Sequence, residues 1–247
     1  MLNFALIGYG KMGQAVAQAA QAKGHHVVAT IDPQAAAATA RTLSAENLNG
    51  AEIAIEFTNP KAFLANITAL AKLKISVVTG TTGWLTDLPQ VQKIVAENKI
   101  GLLYASNFSQ PVHIFTQAVK LVAQQLSKLS GFDVALHETH HTGKIDAPSG
   151  TALTLAETIL QNFPTKKSLL KDNAEQPVPD TALQISATRL GKTVGIHSVY
   201  FDSESDTLEL THRGKNRQAY AAGSLAGAEW LQGRTGVFSL QDWLGLP

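Results

Sequence analysis

The densest run of chemistry-bearing side chains lies between His137 and Thr151 and reads HETHHTGKIDAPSGT. Its first five residues match H-E-x-x-H, the pattern by which a helix offers two histidines, one turn apart, to a zinc ion. That reading needs a helix. Phe132–Leu136 is β-favouring, and Thr139, Thr142 and Gly143 are poor helix interior residues. In a strand, four residues span roughly 13 Å, too far for His137 and His141 to share one ion. No metal is therefore expected, and zinc hydrolysis stays a minor alternative. What remains is a cluster of anion-binding and proton-carrying groups. Lys144 is a cation, and His140 and His141 can carry or donate protons near neutral pH. Ser149 suits the N-cap of a helix TALTLAETIL, so the Gly150 and Thr151 amides sit at a positive helix end that favours carboxylate or phosphate.

A second pattern, Gly8-Tyr9-Gly10-Lys11-Met12-Gly13, is a G-x-G-x-x-G placed after an apolar run and before an Ala-rich one. The first glycine permits the tight turn, the second lets a pyrophosphate approach the backbone, and the third allows close helix–strand packing. Asp32 follows about 20 residues later, where an acid accepts ribose hydroxyls and favours NADH over NADPH. Lys11 could compensate a 2′-phosphate, so NADH is only slightly favoured. Gly80-Thr81-Thr82 and Asn107-Phe108 each follow a further strand, at the edge where open α/β sheets bind ligands. A non-catalytic nicotinamide sensor would keep these features but has no need of His140, His141 and Lys144.

The elements that must position these residues are legible as a rhythm. Leu2–Ile7, His26–Ile31, Glu52–Phe57, Ile75–Thr79 and Ile100–Tyr104 are short apolar runs. They alternate with the longer segments Met12–Lys23, Pro33–Leu43, Pro60–Lys72 and Asp87–Asn98, the signature of βαβ units and a parallel sheet of five strands. After Tyr104 the pattern changes. Val112–Leu129 reads as a long helix with Ile114, Ala118, Leu121, Val122 and Leu126 on its apolar side. A strand Phe132–Thr139, a helix Thr151–Phe163, a loop Pro164–Asp180 and strands Leu183–Leu190, Val194–Asp202 and Thr207–His212 follow. The expected fold class is α/β, with a Rossmann-type parallel sheet domain plus an α+β substrate and oligomerisation domain with a mixed sheet. Residues 1–107 and 216–247 form the first, because the final helix Arg217–Leu231 is expected to return to it, and residues 108–215 form the second.

Composition narrows the partners. With 20 Lys+Arg against 19 Asp+Glu in 247 residues and no run of like charge, nucleic acid and membrane surfaces are not expected partners. The absence of cysteine excludes thiolate chemistry and suits a cytoplasmic protein. The N-terminal apolar run breaks at Gly8, too early for a signal peptide or membrane span.

Glu138-Thr139-His140-His141-Thr142-Gly143-Lys144-Ile145-Asp146-Ala147-Pro148-Ser149-Gly150-Thr151-Ala152 resembles the E-x-H-H-x-x-K-x-D-A-P-S-G-T-A signature of the 4-hydroxy-tetrahydrodipicolinate (dihydrodipicolinate) reductase family of lysine and diaminopimelate synthesis. The likeness extends to Gly8–Gly13, Phe57-Thr58-Asn59-Pro60, Gly80–Gly83, Ala105–Phe108, Arg189 with Gly191, Gly195 with His197, Thr211-His212-Arg213 and Trp243-Leu244-Gly245-Leu246. It implies a nicotinamide-dependent reduction of a cyclic dicarboxylate by a cytoplasmic homotetramer. His140 takes the role of proton donor and Lys144 that of catalytic lysine. The resemblance implies substrate carboxylate contacts at His141, Lys144, Ser149, Gly150 and Thr151. It implies cofactor contacts at Gly8, Tyr9, Gly10, Lys11, Met12, Gly13, Asp32, Phe57, Thr58, Gly80, Thr81, Thr82, Ala105, Ser106, Asn107 and Phe108. Where the family often has N-F-S-x-G-V-N, this chain has Pro111 and His113.

Overall fold

The computed structural model describes residues 1–171 and 176–245, and the chain divides into two compact units, Met1–Ser109 with Arg217–Pro247, and Gln110–Asn216. The first unit opens with β1 (Asn3–Ile7), α1 (Lys11–Ala22) and β2 (His26–Ile31), followed by a single helical turn α2 (Ala45–Leu48). It continues with β3 (Ile53–Glu56), α3 (Pro60–Lys72), β4 (Ser76–Thr79), α4 (Leu88–Asn98) and β5 (Gly101–Tyr104). Side chains of β1 alternate between two cores, Phe4 and Leu6 into one and Ala5 and Ile7 into the other, as a strand covered on both faces requires. The start of α3 is fixed locally: the Asn59 side chain accepts from the Ala62 amide and Pro60 occupies the first turn.

Pro33–Leu43, expected as a helix, is irregular. Asp32 accepts hydrogen bonds from the Gln34 and Ala35 amides at 2.8 and 2.9 Å, closing a turn that competes with a helical start. Thr39 and Thr30 then bond each other's backbones, and Ala40 bridges to Ile31, so local polar contacts override the helix propensity of the alanines.

In the second unit, α5 (Gln110–Leu126), β6 (Asp133–His140), α6 (Gly150–Asn162), β7 (Ser168–Lys171), β8 (Ala182–Arg189), β9 (Gly195–Asp202) and β10 (Thr207–Gly214) follow in order. The sheet order is β10-β9-β6-β8-β7. β6 is parallel to β8 and antiparallel to β9, giving a mixed sheet. Two expectations change here. The buried side of α5 is Val112, Phe115, Val119 and Ala123, while Ile114 and Leu121 are 68% and 58% exposed. The helix is apolar around much of its circumference, and packing of Phe115 and Val119 into the core selects the face that spacing alone left open. The segment Pro164–Asp180, read as a loop, contributes the edge strand β7; residues 172–175 of it lie outside the described residues.

The chain then returns to the first unit with α7 (Gln218–Leu231), β11 (Gly236–Ser239) and α8 (Leu240–Leu244). β11 pairs in parallel with β5 and makes a sixth strand, giving the order β11-β5-β4-β3-β1-β2. The order reverses direction at β1 and β3, the switch point where open α/β sheets place ligands. Helix α7 buries small residues flush against the sheet: a Cβ on Gly223 would stand 1.8 Å from the Phe108 carbonyl oxygen.

Candidate active site

In the first unit the loops at the carboxyl ends of β1, β3 and β4 are locked together. Gly8 has φ +89°, and a Cβ there would lie 2.2 Å from the Phe57 carbonyl oxygen. A Cβ on Gly13 would lie 2.2 Å from the Gly8 carbonyl oxygen. Both glycines are therefore demanded by the chain's own backbone. Gly10 differs, because a Cβ there would meet nothing within 4 Å. Gly80 packs against the Phe57 ring, which a Cβ would meet at 2.0 Å.

Glu56, fully buried at the end of β3, joins these loops and was not singled out by the sequence reading. It accepts from Thr79 Oγ1 at 2.6 Å and from the Thr58 hydroxyl, with Asn66 Nδ2 at 3.4 Å. The Thr58 amide in turn donates to Thr81 Oγ1 at 2.9 Å. Phe57–Thr58 and Gly80–Thr82 are thus held by one buried carboxylate and its hydroxyl partners.

Asp32 is already partly engaged by its own chain. Its Oδ2 accepts from the Tyr9 amide at 2.8 Å, besides the two amides on Oδ1. Burial pushes this carboxyl up, but the Tyr9, Ala35 and Gln34 amides and Arg41 more than offset it and hold it below its ordinary value. Arg41 Nη1 donates to the Asp32 carbonyl at 3.2 Å, which puts a guanidinium beside the acid. Lys11 and Ser106 are exposed, and Tyr9 and Met12 are half-buried. Thr81, Ala105 and Phe108 are buried, and the Phe108 ring packs with Phe57 and Trp243, so these three residues present mainly backbone. Asn107 Oδ1 accepts from the Ser109 amide at 2.8 Å.

In the second unit, β6 runs as a strand through His137–His140, as the residue pattern predicts, and His137 bonds Ser186 and Thr139. The register of the sheet then assembles a site that spacing could not reveal. Glu138 and His140 are two apart on β6 and share a face. Glu138 pairs across to His197 on β9, and His140 pairs across to Arg189 on β8. Glu138 is fully buried, with Arg189 Nη2 at 3.1 Å from Oε1 and the Ser149 amide at 3.1 Å from both oxygens. His140 Nδ1 and His197 Nε2 stand 3.4 and 3.6 Å from Oε2. Burial would raise the Glu138 carboxyl, but His140, His197 and Ser149 more than offset it and hold the group well below the carboxylate range. Burial pushes His197 down, against a smaller opposing pull from Glu138.

The predicted residues sit around this carboxylate. Ser149 caps α6, its Oγ accepting from the Ala152 amide at 3.2 Å and lying 3.1 Å from His197 Nε2. Gly150 and Thr151 form the first turn of α6. Lys144 Nζ is paired with Asp146 at 2.7 and 2.9 Å, and Arg189 holds the same loop through the Lys144 and Asp146 carbonyls. His141 is half-buried in the loop after β6, where its carbonyl accepts from the Lys144 amide at 3.1 Å. Glu138, Arg189 and His197 thus join the predicted set. Their signal was in the sequence only as quoted letters without roles, since their partners lie on other strands. Chemically, the arrangement offers a nearly buried imidazole backed by a carboxylate, next to the loop that carries the Lys144–Asp146 pair and a helix N-terminus.

Comparison with known proteins agrees along the whole length. The family model "Dihydrodipicolinate reductase, N-terminus" matches residues 2–108, and "Dihydrodipicolinate reductase, C-terminus" matches residues 111–244. The 4-hydroxy-tetrahydrodipicolinate reductase of Christiangramia forsetii is 38% identical over 246 residues, covering 98% of each chain. That of Paraburkholderia phymatum is 37% identical over 198 residues, covering 78% of this chain and 73% of its own. Among solved structures, the dipicolinate-bound dihydrodipicolinate reductase from Paenisporosarcina sp. TG-14 has a TM-score of 0.77 at 23% identity, covering 98% of both chains. GenD2 from gentamicin A biosynthesis, in complex with NAD, shares the fold at a TM-score of 0.61 and 12% identity, covering 95% of this chain and 88% of its own.

Proposed function

Because the chain belongs to the dihydrodipicolinate reductase family, we propose that it reduces 4-hydroxy-tetrahydrodipicolinate to tetrahydrodipicolinate in lysine and diaminopimelate synthesis. The observation that carries this reading is the cluster around Glu138, where a proton-carrying imidazole adjoins a helix N-cap and the Lys144 loop. A cyclic dicarboxylate needs two anionic groups oriented and one proton delivered.

The glycine turn suits a dinucleotide. Gly8 and Gly13 serve the protein's own packing, whereas the missing side chain at Gly10 clears space that no protein atom uses. On this reading Gly8, Tyr9, Gly10, Lys11, Met12, Gly13, Asp32, Phe57, Thr58, Gly80, Thr81, Thr82, Ala105, Ser106, Asn107 and Phe108 hold NADH or NADPH. When bound, the reduced nicotinamide supplies the hydride. Asp32 keeps one lone pair, on Oδ2, for a ribose hydroxyl beyond those its own amides use, and Arg41 and Lys11 offer positive charge for a 2′-phosphate. Both cofactors serve, with NADH slightly favoured.

In the second unit, Lys144 exchanges Asp146 for a substrate carboxylate, and His141 with the Ser149-Gly150-Thr151 helix end takes carboxylate oxygens. His140 delivers the proton. Assembly is proposed as a homotetramer in the cytoplasm; β10 is an edge strand that carries the 43% exposed Leu208 and offers a face to a second copy. Among the described residues no helix is long and apolar enough to cross a membrane.

The test is oxidation of NADH and NADPH in parallel, with substrate made freshly from pyruvate and aspartate semialdehyde. Rapid substrate-dependent oxidation supports the reductase. Cofactor binding without turnover would favour a nicotinamide sensor instead. A monomer by light scattering would remove the assembly from the reading. Lys144→Ala should both raise KM and lower kcat, and a variant with intact substrate affinity would contradict the clamp.

A further inference from the structure

The carboxylate of Glu138 has no role in the proposed chemistry so far, yet it is the point on which that chemistry's parts converge. Four elements meet it. β6 supplies Glu138 itself and His140, β8 supplies Arg189, β9 supplies His197, and the N-cap of α6 supplies the Ser149 amide. Through Arg189 it also reaches the loop after β6, because Nε and Nη2 of that guanidinium donate to the Lys144 carbonyl at 3.2 Å and the Asp146 carbonyl at 2.6 Å. Behind His197 stands His212 on β10, its register partner, which burial and the charge of His197 both push down.

The two nitrogens of His140 have different surroundings. Nδ1 is buried, has no hydrogen-bond partner among the described residues, and lies 3.4 Å from Glu138 Oε2. Nε2 packs close to Gly195, where a Cβ would stand 2.9 Å from it, so only a glycine there spares that nitrogen a collision. A buried nitrogen facing a carboxylate, with the second nitrogen pointing away from it, is the arrangement by which a third group fixes the tautomer and orientation of a proton-transferring imidazole.

We infer that Glu138 is the positioning residue of the proposed reductase: it holds Nδ1–H of His140 so that Nε2 exchanges the proton, and it anchors the Ser149 helix end and the Lys144 loop that take the substrate's carboxylates. The inference rests on the reductase reading. A divalent metal is the competing use of this trio, since ligand atoms of Glu138, His140 and His197 lie within 4.8 Å of one another. The Arg189 guanidinium and the Ser149 amide already occupy the carboxylate, however, and a guanidinium 3.1 Å away repels a second cation.

The experiment begins with the native enzyme, because absence of turnover there would defeat the reductase reading itself and leave Glu138 out of account. With turnover established, Glu138→Gln should lower kcat by about tenfold to a hundredfold, the scale of general acid catalysis, and raise KM for the cyclic substrate. The Kd for NADH, measured by fluorescence titration, should not move. The pH profile of kcat should change, since the ring has lost the carboxylate that orients it, and Glu138→Asp should bring the profile back toward the native one. Native kcat with a native pH profile in Glu138→Gln would overturn the inference, as would a fall in kcat with no shift of profile and no rescue by aspartate. Should neither variant fold, long-range 15N correlation spectra of the native imidazoles decide the matter. The neutral Nδ1–H tautomer at His140 supports the inference, and the Nε2–H tautomer overturns it.

Discussion

At Gly8 and Gly13 in the first unit the loops depend on a missing side chain; at Glu138 in the second they depend on a fully buried one. The proposed cofactor surface is written in main-chain geometry, with loops fitted so closely that a single methyl would strike a carbonyl oxygen. The proposed substrate surface is written in charge, with one carboxylate balanced by a guanidinium, an amide and two imidazoles. A collision at Gly8 or Gly13 is steric, and pH does not change it. The proposed substrate surface fails by lost charge, and pH is its natural perturbant.

The sharpest way to separate the two is His140→Gln. Removing the proton carrier should lower kcat by about a hundredfold or more with little change in KM, and an unchanged kcat would take His140 out of the chemistry. Next in size is Gly8→Ala. It combines φ +89° with a backbone collision, so it should cost on the order of 3 kcal/mol or more in urea unfolding, at pH 6 and pH 8 alike. Gly10→Ala sharpens the contrast within the same turn. With free space around it, the variant should keep its stability to within about 1 kcal/mol while cofactor Kd, read by titration, rises roughly tenfold. Equal loss of stability at both glycines would erase the distinction between packing and ligand approach.

The smallest effect concerns acid. Burial holds His113, His197 and His212 below the usual imidazole value, so each is neutral in the fold where the unfolded chain would bind a proton. Their contribution to stability is present above about pH 6.5 and is lost as pH falls below it. Glu138 and Asp146, both held down, add a further loss below about pH 4.3. All five lie in the second unit. Melting curves should therefore fall by a few degrees between about pH 7.5 and 5.5, and amide exchange should speed up in β6, β9 and β10 before it does in β1 and β3. The reverse order would contradict the assignment of charge logic to the second unit.

The same division explains what was legible in the residues. Glycine spacing, the Asn59-Pro60 helix start and the apolar runs of β1 to β5 are local signals, and the first unit is built largely from them. Where a local signal had a stronger local rival, it misled: Ala35–Ala38 favours a helix by propensity, but the Asp32 turn and the Thr30–Thr39 bonds claim the backbone. Helix α5 misled differently, because Ile114 and Leu121 satisfy helical spacing as well as Phe115 and Val119 do. Short β7 and β11 carry little periodicity of their own and become strands through β8 and β5. Glu138 was invisible as a hub because its partners Arg189 and His197 lie on β8 and β9, and only the register brings them to it.

The chain leaves the first unit at Ser109 and rejoins it at Arg217, which sets an order of assembly during synthesis. At about 5–20 residues per second, on the order of ten seconds separate the emergence of β5 from that of β11. For most of that interval Leu103 and Phe108 lack the cover of Ala221, Leu225 and Ala228 from α7. The nascent first unit is thus the half that must wait with apolar surface bare. The second unit, made in one uninterrupted stretch, can close on itself while the ribosome is still at work.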